Sequence, residues 1–238
     1  MQRGAGAIDI SMIVWLMELK TVEYPNGRQV VIIANDITHR AGSFGTREDV
    51  VFKMASEFAR DRKLPCLYIA ANSGARIGLA EGVRRAYKVA FKDPTKPEGG
   101  FDYLYVTKDD YEKLSEKHDV IDEPVNLEGD EVYRLTDIIG SEPDLGAENS
   151  KGSGLIAGET SSAYNYIFTL TVVLGRTVGV GAYFVRLGQR TIQKTTALPI
   201  ILTGYQALNK LMVCNVYTTN YQLGGTGIMY SNGVSHIT

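Results

Sequence analysis

The stretch CLYIAANSGAR, residues 66–76, decides the fold. Its first part, Cys66 to Ala71, is an apolar run with the length and composition of a buried strand. Asn72-Ser73-Gly74 interrupts that run, and helical spacing resumes over Ile77 to Ala90. The stretch and its continuation therefore predict a strand, a tight glycine turn and a helix in succession.

The same pattern occurs twice more towards the C-terminus. Phe168 to Leu174 is β-branched and aromatic, the glycine-containing segment 175–181 follows it, and Ala182 to Gln193 has helical spacing. A third apolar run, Leu198 to Thr203, precedes a predicted helix near Gln206 to Leu211. Repeated strand-turn-helix units with short connections predict a layered α/β fold with parallel strands.

Other segments carry different signals. Met12 to Leu19 and Gln29 to Ala34 are apolar and flank Tyr24-Pro25-Asn26-Gly27, whose Asn-Gly pair is typical of a hairpin. Thr46 precedes an amphipathic stretch, which predicts a helix with a threonine cap. Asp93 to Glu148 is polar, acidic and interrupted by prolines, and it predicts an insertion of hairpins and loops.

The composition excludes several classes of protein. With 238 residues, of which 44% are hydrophobic, the chain can bury a sizeable core. Twenty-five basic and 27 acidic residues give a net charge of -2, which argues against a nucleic-acid partner. The most apolar early stretch, Met12 to Met17, is too short to span a bilayer. Cys66 and Cys214 lie far apart, which predicts buried thiols in a reducing compartment.

Familiar catalytic motifs are missing from the sequence. Position 184 is Phe, so Gly179-Val180-Gly181 does not extend to a dinucleotide fingerprint, and there is no phosphate-binding GxxxxGK[ST]. Neither Ser73 nor Ser153 lies in the GxSxG of hydrolases. No metal is expected, because the histidines are scattered and have no ligand-like spacing: His39, His118 and His236.

The glycine turns offer a different kind of chemistry. A turn that leads into a helix presents unpaired backbone N–H groups at the positive end of the helix dipole, which suits an anionic oxygen. Gly179-Val180-Gly181 alone is equally consistent with a purely structural turn. We therefore expect any catalysis to depend on backbone dipoles.

Eight motifs, taken together, resemble one family across nearly the whole chain. They occur in that family's order and resemble the carboxyltransferase of single-chain eukaryotic acetyl-CoA carboxylases. The motifs are Ala34–Thr38, Gly42–Gly45, Ala71–Gly78, Gly152–Gly158, Arg176–Tyr183, Val185–Arg190, Gln222–Gly225 and Asn232–His236.

The resemblance implies a crotonase-like (ClpP/crotonase) fold and a place in a larger enzyme. Residues 1–238 would be the N-terminal half of the carboxyltransferase domain, with a similar C-terminal half absent, and the unfinished end at Thr238 predicts a truncated domain. The implied reaction transfers a carboxyl group from carboxybiotin to acetyl-CoA and gives malonyl-CoA, the first committed step of fatty acid synthesis. The implied enzyme is a homodimer of the cytoplasm or a plastid.

The resemblance also implies how the partners and the site are arranged. Biotin is carried on another domain, because its Met-Lys-Met attachment motif is not in this chain. The backbone N–H groups of Ala75 and Val180 match the family's anchor points for an anionic oxygen, and the glycines beside them allow close approach of substrate. The remaining matches are Gly74, Gly179 and Gly181 at the turns, with Arg76, Arg176 and Tyr183 for substrate binding. For Arg176 the alternative is a structural cap on nearby carbonyls.

One departure and two other functions stay open. Val213-Cys214-Asn215 stands where related chains carry Gly-Arg-Glu, which puts the local loop and full activity in doubt. A crotonase-type hydratase or isomerase would need an acidic side chain, for which Glu81 and Glu159 are the candidates. A non-catalytic remnant that binds CoA or a partner is the third possibility.

Overall fold

The computed structural model describes residues 8–76, 81–115, 120–127, 129–138, 150–196 and 198–238. The chain divides into two compact units. The first combines Met1–Arg76 with Asn149–Thr238, and the second is Ile77–Glu148. The second unit therefore interrupts the first in sequence, as the polar composition of the central segment predicts.

The described residues form strands and helices throughout. The strands are β1 Met12–Leu19, β2 Arg28–Asn35, β3 Cys66–Ala70, β4 Lys88–Phe91, β5 Phe101–Thr107, β6 Val120–Leu127, β7 Asp130–Ile138, β8 Thr169–Val173, β9 Thr177–Val178, β10 Arg190–Gln193 and β11 Ile200–Ile201. The helices are α1 Thr46–Asp61, α2 Glu81–Ala86, α3 Lys108–Ser115, α4 Ser150–Tyr164, α5 Val180–Leu187, α6 Tyr205–Met212, α7 Tyr221–Gly224 and α8 Thr226–Ser231. None of these helices has both the length and the apolar composition needed to cross a bilayer.

The first unit is built on a five-stranded sheet in the order β1-β2-β3-β8-β10. β1 and β2 form the expected antiparallel hairpin, with Met12 opposite Asn35. From β2 onward the strands are parallel, which confirms the predicted α/β class. A separate short parallel pair is formed by β9, which lies between β8 and β10 in the chain, and β11, and it links the second and third strand-turn-helix units.

Helices α1, α4 and α5 supply the apolar side chains that cover the strands of the first unit. An aromatic group lies at the centre of this core. Phe44 meets Phe184 of α5 edge to face at 5.2 Å between ring centroids, and Phe52 of α1 meets Tyr68 of β3 at 5.5 Å. The core thus joins the segment before α1 to the helix that follows the second glycine turn.

Two local expectations for the first unit are wrong. The helix predicted to reach Gln193 ends at Leu187, because Gly188 leaves the helical conformation. The residues that follow form β10, where fully buried Thr191 and Gln193 alternate with their neighbours in a strand period. Thr46 is the first residue of α1 and not its cap; Gly45 takes that place.

The second unit has an antiparallel four-stranded sheet in the order β4-β5-β7-β6. Its hairpins were expected, but α3 was not. Thr107 starts α3 as a cap, because its hydroxyl accepts the Asp110 N–H at 3.4 Å and donates to the Asp110 carboxylate at 2.8 Å. The helix predicted over Ile77 to Ala90 is also too long: residues 77–80 lie outside the described part, and α2 gives way to strand β4 at Lys88.

The end of α6 carries the departure from the family pattern. Val213 occupies the position after the helix with φ +55° and ψ +25°, the left-handed region that glycine adopts without cost. A β-branched residue is strained there by about 1–2 kcal/mol.

We expect Val213→Gly to raise the free energy of unfolding by about 1 kcal/mol, because relief of this strain exceeds the added entropy of the unfolded chain. Urea denaturation would show a higher midpoint at unchanged slope. Val216→Gly is the matched control, because among the described residues Val216 is not one of those with positive φ, and it should bring no gain. Equal effects from both variants would contradict the assignment of strain to Val213.

Candidate functional site

The two glycine turns lie in direct contact. The first turn follows β3, and the second joins β9 to α5. A Cβ atom on Gly74 would lie 2.7 Å from the Val178 carbonyl oxygen, and Gly74 itself has φ +83°. The Asn72 N–H also donates to the Arg176 carbonyl at 2.7 Å. Only glycine at position 74 permits this close approach of the two backbones.

The first turn leaves the Ala75 N–H unpaired. Phe44 and Ala75 form an isolated parallel bridge, in which the Phe44 N–H donates to the Gly74 carbonyl at 2.9 Å and the Arg76 N–H to the Phe44 carbonyl at 2.7 Å. In such a bridge the N–H of the central residue points to the opposite side. No acceptor among the described residues bonds the Ala75 N–H, so it is available to a ligand.

The second turn leaves the Val180 N–H unpaired in the same way. Gly179 has φ +57° and ψ -127°, a conformation reserved for glycine, and its N–H is held by the Ile201 carbonyl at 2.9 Å. Val180 is then the first residue of α5, where an N–H has no partner within the helix. The described residues provide no other acceptor for it, and the helix dipole makes this end positive.

Two predicted binding residues lie at or beside the second turn. Arg176 is exposed, and its guanidinium makes no hydrogen bond to any described residue. The alternative role as a cap on nearby carbonyls therefore has no support in the described part of the chain. Tyr183 lies in the first turn of α5 and is 60% exposed. Both side chains are accessible to a ligand.

Arg76 has a different environment from the one predicted for a substrate-binding residue. Its guanidinium lies 2.9 Å from the Glu48 carboxylate, and the side chains are 12% and 1% exposed. Arg76 also donates to Ser43 Oγ at 3.2 Å. These contacts tie the end of the first turn to the start of α1, so Arg76 fixes the turn from inside the protein.

The Glu48 carboxylate is saturated with donors. The Ser11 N–H donates to one oxygen at 2.9 Å and the Gly45 N–H to the other at 3.0 Å. Burial by itself raises the pKa of this carboxyl, but these donors and the Arg76 guanidinium outweigh burial and hold the pKa below its ordinary 4.5. Glu48 is therefore ionised and structural.

Sequence reasoning missed the residue that joins the turns. The sequence places Asn72 only in the break after a strand, yet its Oδ1 accepts the Gly74 N–H at 3.1 Å and the Val178 N–H at 3.3 Å. The first of these bonds is an Asx turn, for which Asn-x-Gly is a local signal. The second joins residues 106 positions apart and has no local signal.

Of the other candidate reactive groups, some are paired or buried and some lie outside the described part of the chain. Glu159 is paired with Arg60 at 2.6 Å, and the side chain of Glu81 and all of His118 lie outside the described part. Burial raises the pKa of the Cys66 thiol to about 12, as expected of an inert thiol, whereas Cys214 is exposed, contrary to prediction. Within the described residues no three His, Cys, Asp or Glu side chains are grouped so as to hold a metal ion.

Comparison with solved structures identifies the fold. The chain aligns with transcarboxylase 12S, whose crystal structure is a hexamer with methylmalonyl-coenzyme A and methylmalonic acid bound, at a TM-score of 0.56 and 16% identity. The alignment covers 88% of this chain and 28% of that one. The class is therefore that of the crotonase-like α/β proteins, as predicted.

Residues 22–238 match the carboxyl transferase domain, and the chain belongs to that family. Acetyl-CoA carboxylase of Dictyostelium discoideum is 54% identical over 235 residues, which are 99% of this chain and 10% of that protein. Acetyl-CoA carboxylase of Saccharomyces cerevisiae is 52% identical over 240 residues, which are 100% of this chain and 11% of that protein. The chain thus spans about a tenth of the length of these relatives.

Proposed function

We propose that this chain is the N-terminal half of an acetyl-CoA carboxylase carboxyltransferase, and that it binds the oxygen on which negative charge develops during carboxyl transfer. The observation that carries the proposal is the pair of unpaired N–H groups, of Ala75 and Val180, on two turns in contact. Similarity to acetyl-CoA carboxylases over 99–100% of this chain supports the choice of acetyl-CoA as acceptor and malonyl-CoA as product.

The chemical difficulty is removal of a proton from the methyl group of a thioester. The resulting carbanion is accessible only when its charge moves onto the thioester oxygen as an enolate. Preorganised N–H donors stabilise the enolate oxygen more strongly than they stabilise the neutral carbonyl oxygen of the substrate. They therefore lower the activation barrier without making the substrate bind more tightly. The Ala75 and Val180 N–H groups suit this role because both are unpaired and one of them lies at a helix N-terminus.

The cofactor that the family implies needs donors of its own. The ureido oxygen of biotin is an acceptor that backbone N–H groups can hold, but the Ala75 and Val180 pair is assigned to the thioester oxygen, so the matching C-terminal half would hold biotin. When bound, carboxybiotin supplies the carboxyl group and, after its loss, the nitrogen that takes up the methyl proton. The chain's own residues orient the acceptor and stabilise charge.

Arg176 and Tyr183 complete the proposed site as binding residues. Arg176 is the free cation at the second turn among the described residues, and it suits a CoA phosphate. The exposed ring of Tyr183 offers an apolar wall for the acyl or adenine portion.

The proposed assembly extends beyond this chain. A matching C-terminal half would complete the site across a homodimer, and a separate carrier domain would deliver biotin. We place the reaction in the cytoplasm, with a plastid as the alternative. Measurement of the mass of the assembled halves tests the homodimer, and imaging of the tagged protein in cells tests the compartment.

The decisive experiment measures carboxyl transfer by this chain combined with the remaining carboxyltransferase segment of the Dictyostelium relative. We expect malonyl-CoA to form from acetyl-CoA and carboxybiotin. A folded, assembled complex without turnover would overturn the proposal. Acetyl-CoA binding by calorimetry in that inactive complex would favour the non-catalytic alternative, and hydration of an enoyl-CoA would favour the hydratase.

In the active assembly we expect Arg176→Ala to raise the KM for acetyl-CoA about 10- to 100-fold, the worth of one charge-assisted hydrogen bond. The value of kcat should change little, because the arginine binds the CoA moiety equally in ground and transition states. Arg186→Ala is the control, since Arg186 is an exposed arginine near the end of α5. Comparable KM values for both variants would remove Arg176 from the site.

A further inference from the structure

Asn72 is a buried amide with every polar atom engaged. It is 3% exposed, and it lies two residues after the end of β3. Its orientation is set by its partners, because the N–H groups of Gly74 and Val178 can be met only by the carbonyl oxygen Oδ1. One atom thus bonds both glycine turns.

The other end of the amide is held equally firmly. Nδ2 donates to the Tyr68 hydroxyl at 3.3 Å and to Asn35 Oδ1 at 3.4 Å. The Tyr68 hydroxyl donates to the same Asn35 oxygen at 2.7 Å, and Asn35 Nδ2 donates to the Gly42 carbonyl at 3.2 Å. The amide of Asn72 therefore cannot rotate without breaking a buried network.

The space around Asn72 is closed from the helix side. A Cβ atom on Gly181 would overlap Asn72 Oδ1 and lie 2.5 Å from its Cγ. The first turn of α5 therefore rests directly against the amide. The side chain of Asn72 is thus bonded to both turns and is also in contact with the first turn of α5.

The bonds to Oδ1 also decide which N–H groups remain for a ligand. Each turn has several N–H groups, and Asn72 takes one from each: Gly74 in the first turn and Val178 in the second. The unpaired donors are those of Ala75 and Val180, one and two residues further along. Without Asn72, the N–H groups of Gly74 and Val178 would lose their shared acceptor, and the two turns would lose the bonds that join them.

We infer that Asn72 is a positioning residue, which fixes the two turns relative to each other so that the Ala75 and Val180 N–H groups address one oxygen. It acts through these donors and does not touch substrate. This inference rests on the proposed oxyanion role of the turns, and it adds the side chain that makes the two donors a single site.

The kinetic test compares variants in the active assembly. We expect Asn72→Ala to lower kcat about 100-fold with KM for acetyl-CoA changed less than about threefold, because misplaced donors affect the transition state. Asn72→Asp keeps the acceptor oxygen for both turns but replaces Nδ2 with an oxygen that faces Asn35 Oδ1, so kcat should recover only in part, by about threefold to tenfold. Should Asn72→Ala not fold, Tyr68→Phe removes only the hydroxyl that holds Nδ2 and should lower kcat about fivefold.

Asn209 offers a matched control for a purely structural amide. It is also buried, its Nδ2 donates to the Tyr217 carbonyl at 2.6 Å, and its Oδ1 accepts the N–H groups of Val216 and Tyr217 at 3.1 and 3.0 Å. Asn209→Ala removes the same kinds of bond away from the turns. A kcat loss equal to that of Asn72→Ala would overturn the inference.

Amide hydrogen exchange on the chain separates this inference from the proposed function. In Asn72→Ala we expect at least about tenfold faster exchange at the hydrogen-bonded amides of residues 74, 76 and 177–179, and no such change in Asn209→Ala. Unchanged exchange at both turns would overturn the positioning role whatever the activity. Faster exchange in Asn72→Ala, together with an inactive wild-type assembly, would uphold the coupling of the turns and reject carboxyl transfer.

Discussion

Gly181→Ala is expected to lower carboxyl transfer at least about 100-fold and the free energy of unfolding by about 1–3 kcal/mol. A methyl group at this position meets Asn72, whose amide is held by its bonds to both turns and to Tyr68. Since the amide cannot move aside alone, the start of α5 must shift and take the Val180 N–H with it. Activity in the assembled enzyme and urea denaturation of the chain measure the two effects.

The control for Gly181 is a glycine with room for a side chain. Gly158 lies in α4, is exposed, and has no atom within 4 Å of an added Cβ. Gly158→Ala should stabilise the chain by about 0.5–1 kcal/mol and leave activity unchanged. The clash also predicts that the stability losses of Gly181→Ala and Asn72→Ala are not additive. Asn72→Ala removes the amide atoms that the methyl group added by Gly181→Ala would meet. Additive stability losses in the double variant would show that the contact is not the cause.

The second large effect concerns the buried ion pair. Glu48→Gln should lower the free energy of unfolding by about 3–5 kcal/mol, because it takes the negative charge from the buried Arg76 guanidinium. The new amide group would also point N–H donors at the N–H groups of Ser11 or Gly45. Denaturant midpoints report the loss, and Glu131→Gln in the exposed pair with Lys108 should change stability by less than about 0.5 kcal/mol.

The same pair predicts a dependence of stability on pH. Because the pKa of Glu48 is lowered in the folded chain, its contribution is fully present above the ordinary value of 4.5 and is lost as the pH falls through the lowered value. The Glu48→Gln variant should therefore lose less stability than the wild type when both are titrated below pH 4.5. Identical acid profiles would contradict an ionised Glu48 in the folded protein.

The parts of the fold that follow local patterns could be predicted. The Asn-Gly hairpin and the buried runs at residues 66–71 and 168–174 give strands where expected, because turn residues and apolar periodicity act within a few positions. β10 could not be predicted in this way. Its inward residues, Thr191 and Gln193, are polar and become buried because Thr191 donates to the Val185 carbonyl and Gln193 accepts from Ser235.

In the candidate site too, features with a local signal could be predicted and features that depend on distant partners could not. The glycines of both turns were identified from their positions after strands, and the structure brings the turns together. The roles of Asn72 and Arg76 depend on partners 106 and 28 positions away, which no local pattern encodes. Resemblance to a family implies that Arg76 binds substrate, and the Glu48 contact adds that it anchors the first turn.

Phe44 has a consequence for how genetic variation in this chain should be interpreted. Its backbone bridges the turn that carries Ala75, and its ring packs on Phe184 in the helix that begins at Val180. A screen that selects for loss of activity would recover Phe44 together with the turn glycines, although the ring is buried and meets no substrate. Such a map of inactivating variants would outline the hydrophobic interior as well as the chemistry, and distance from the ligand would be a poor guide to the severity of a substitution.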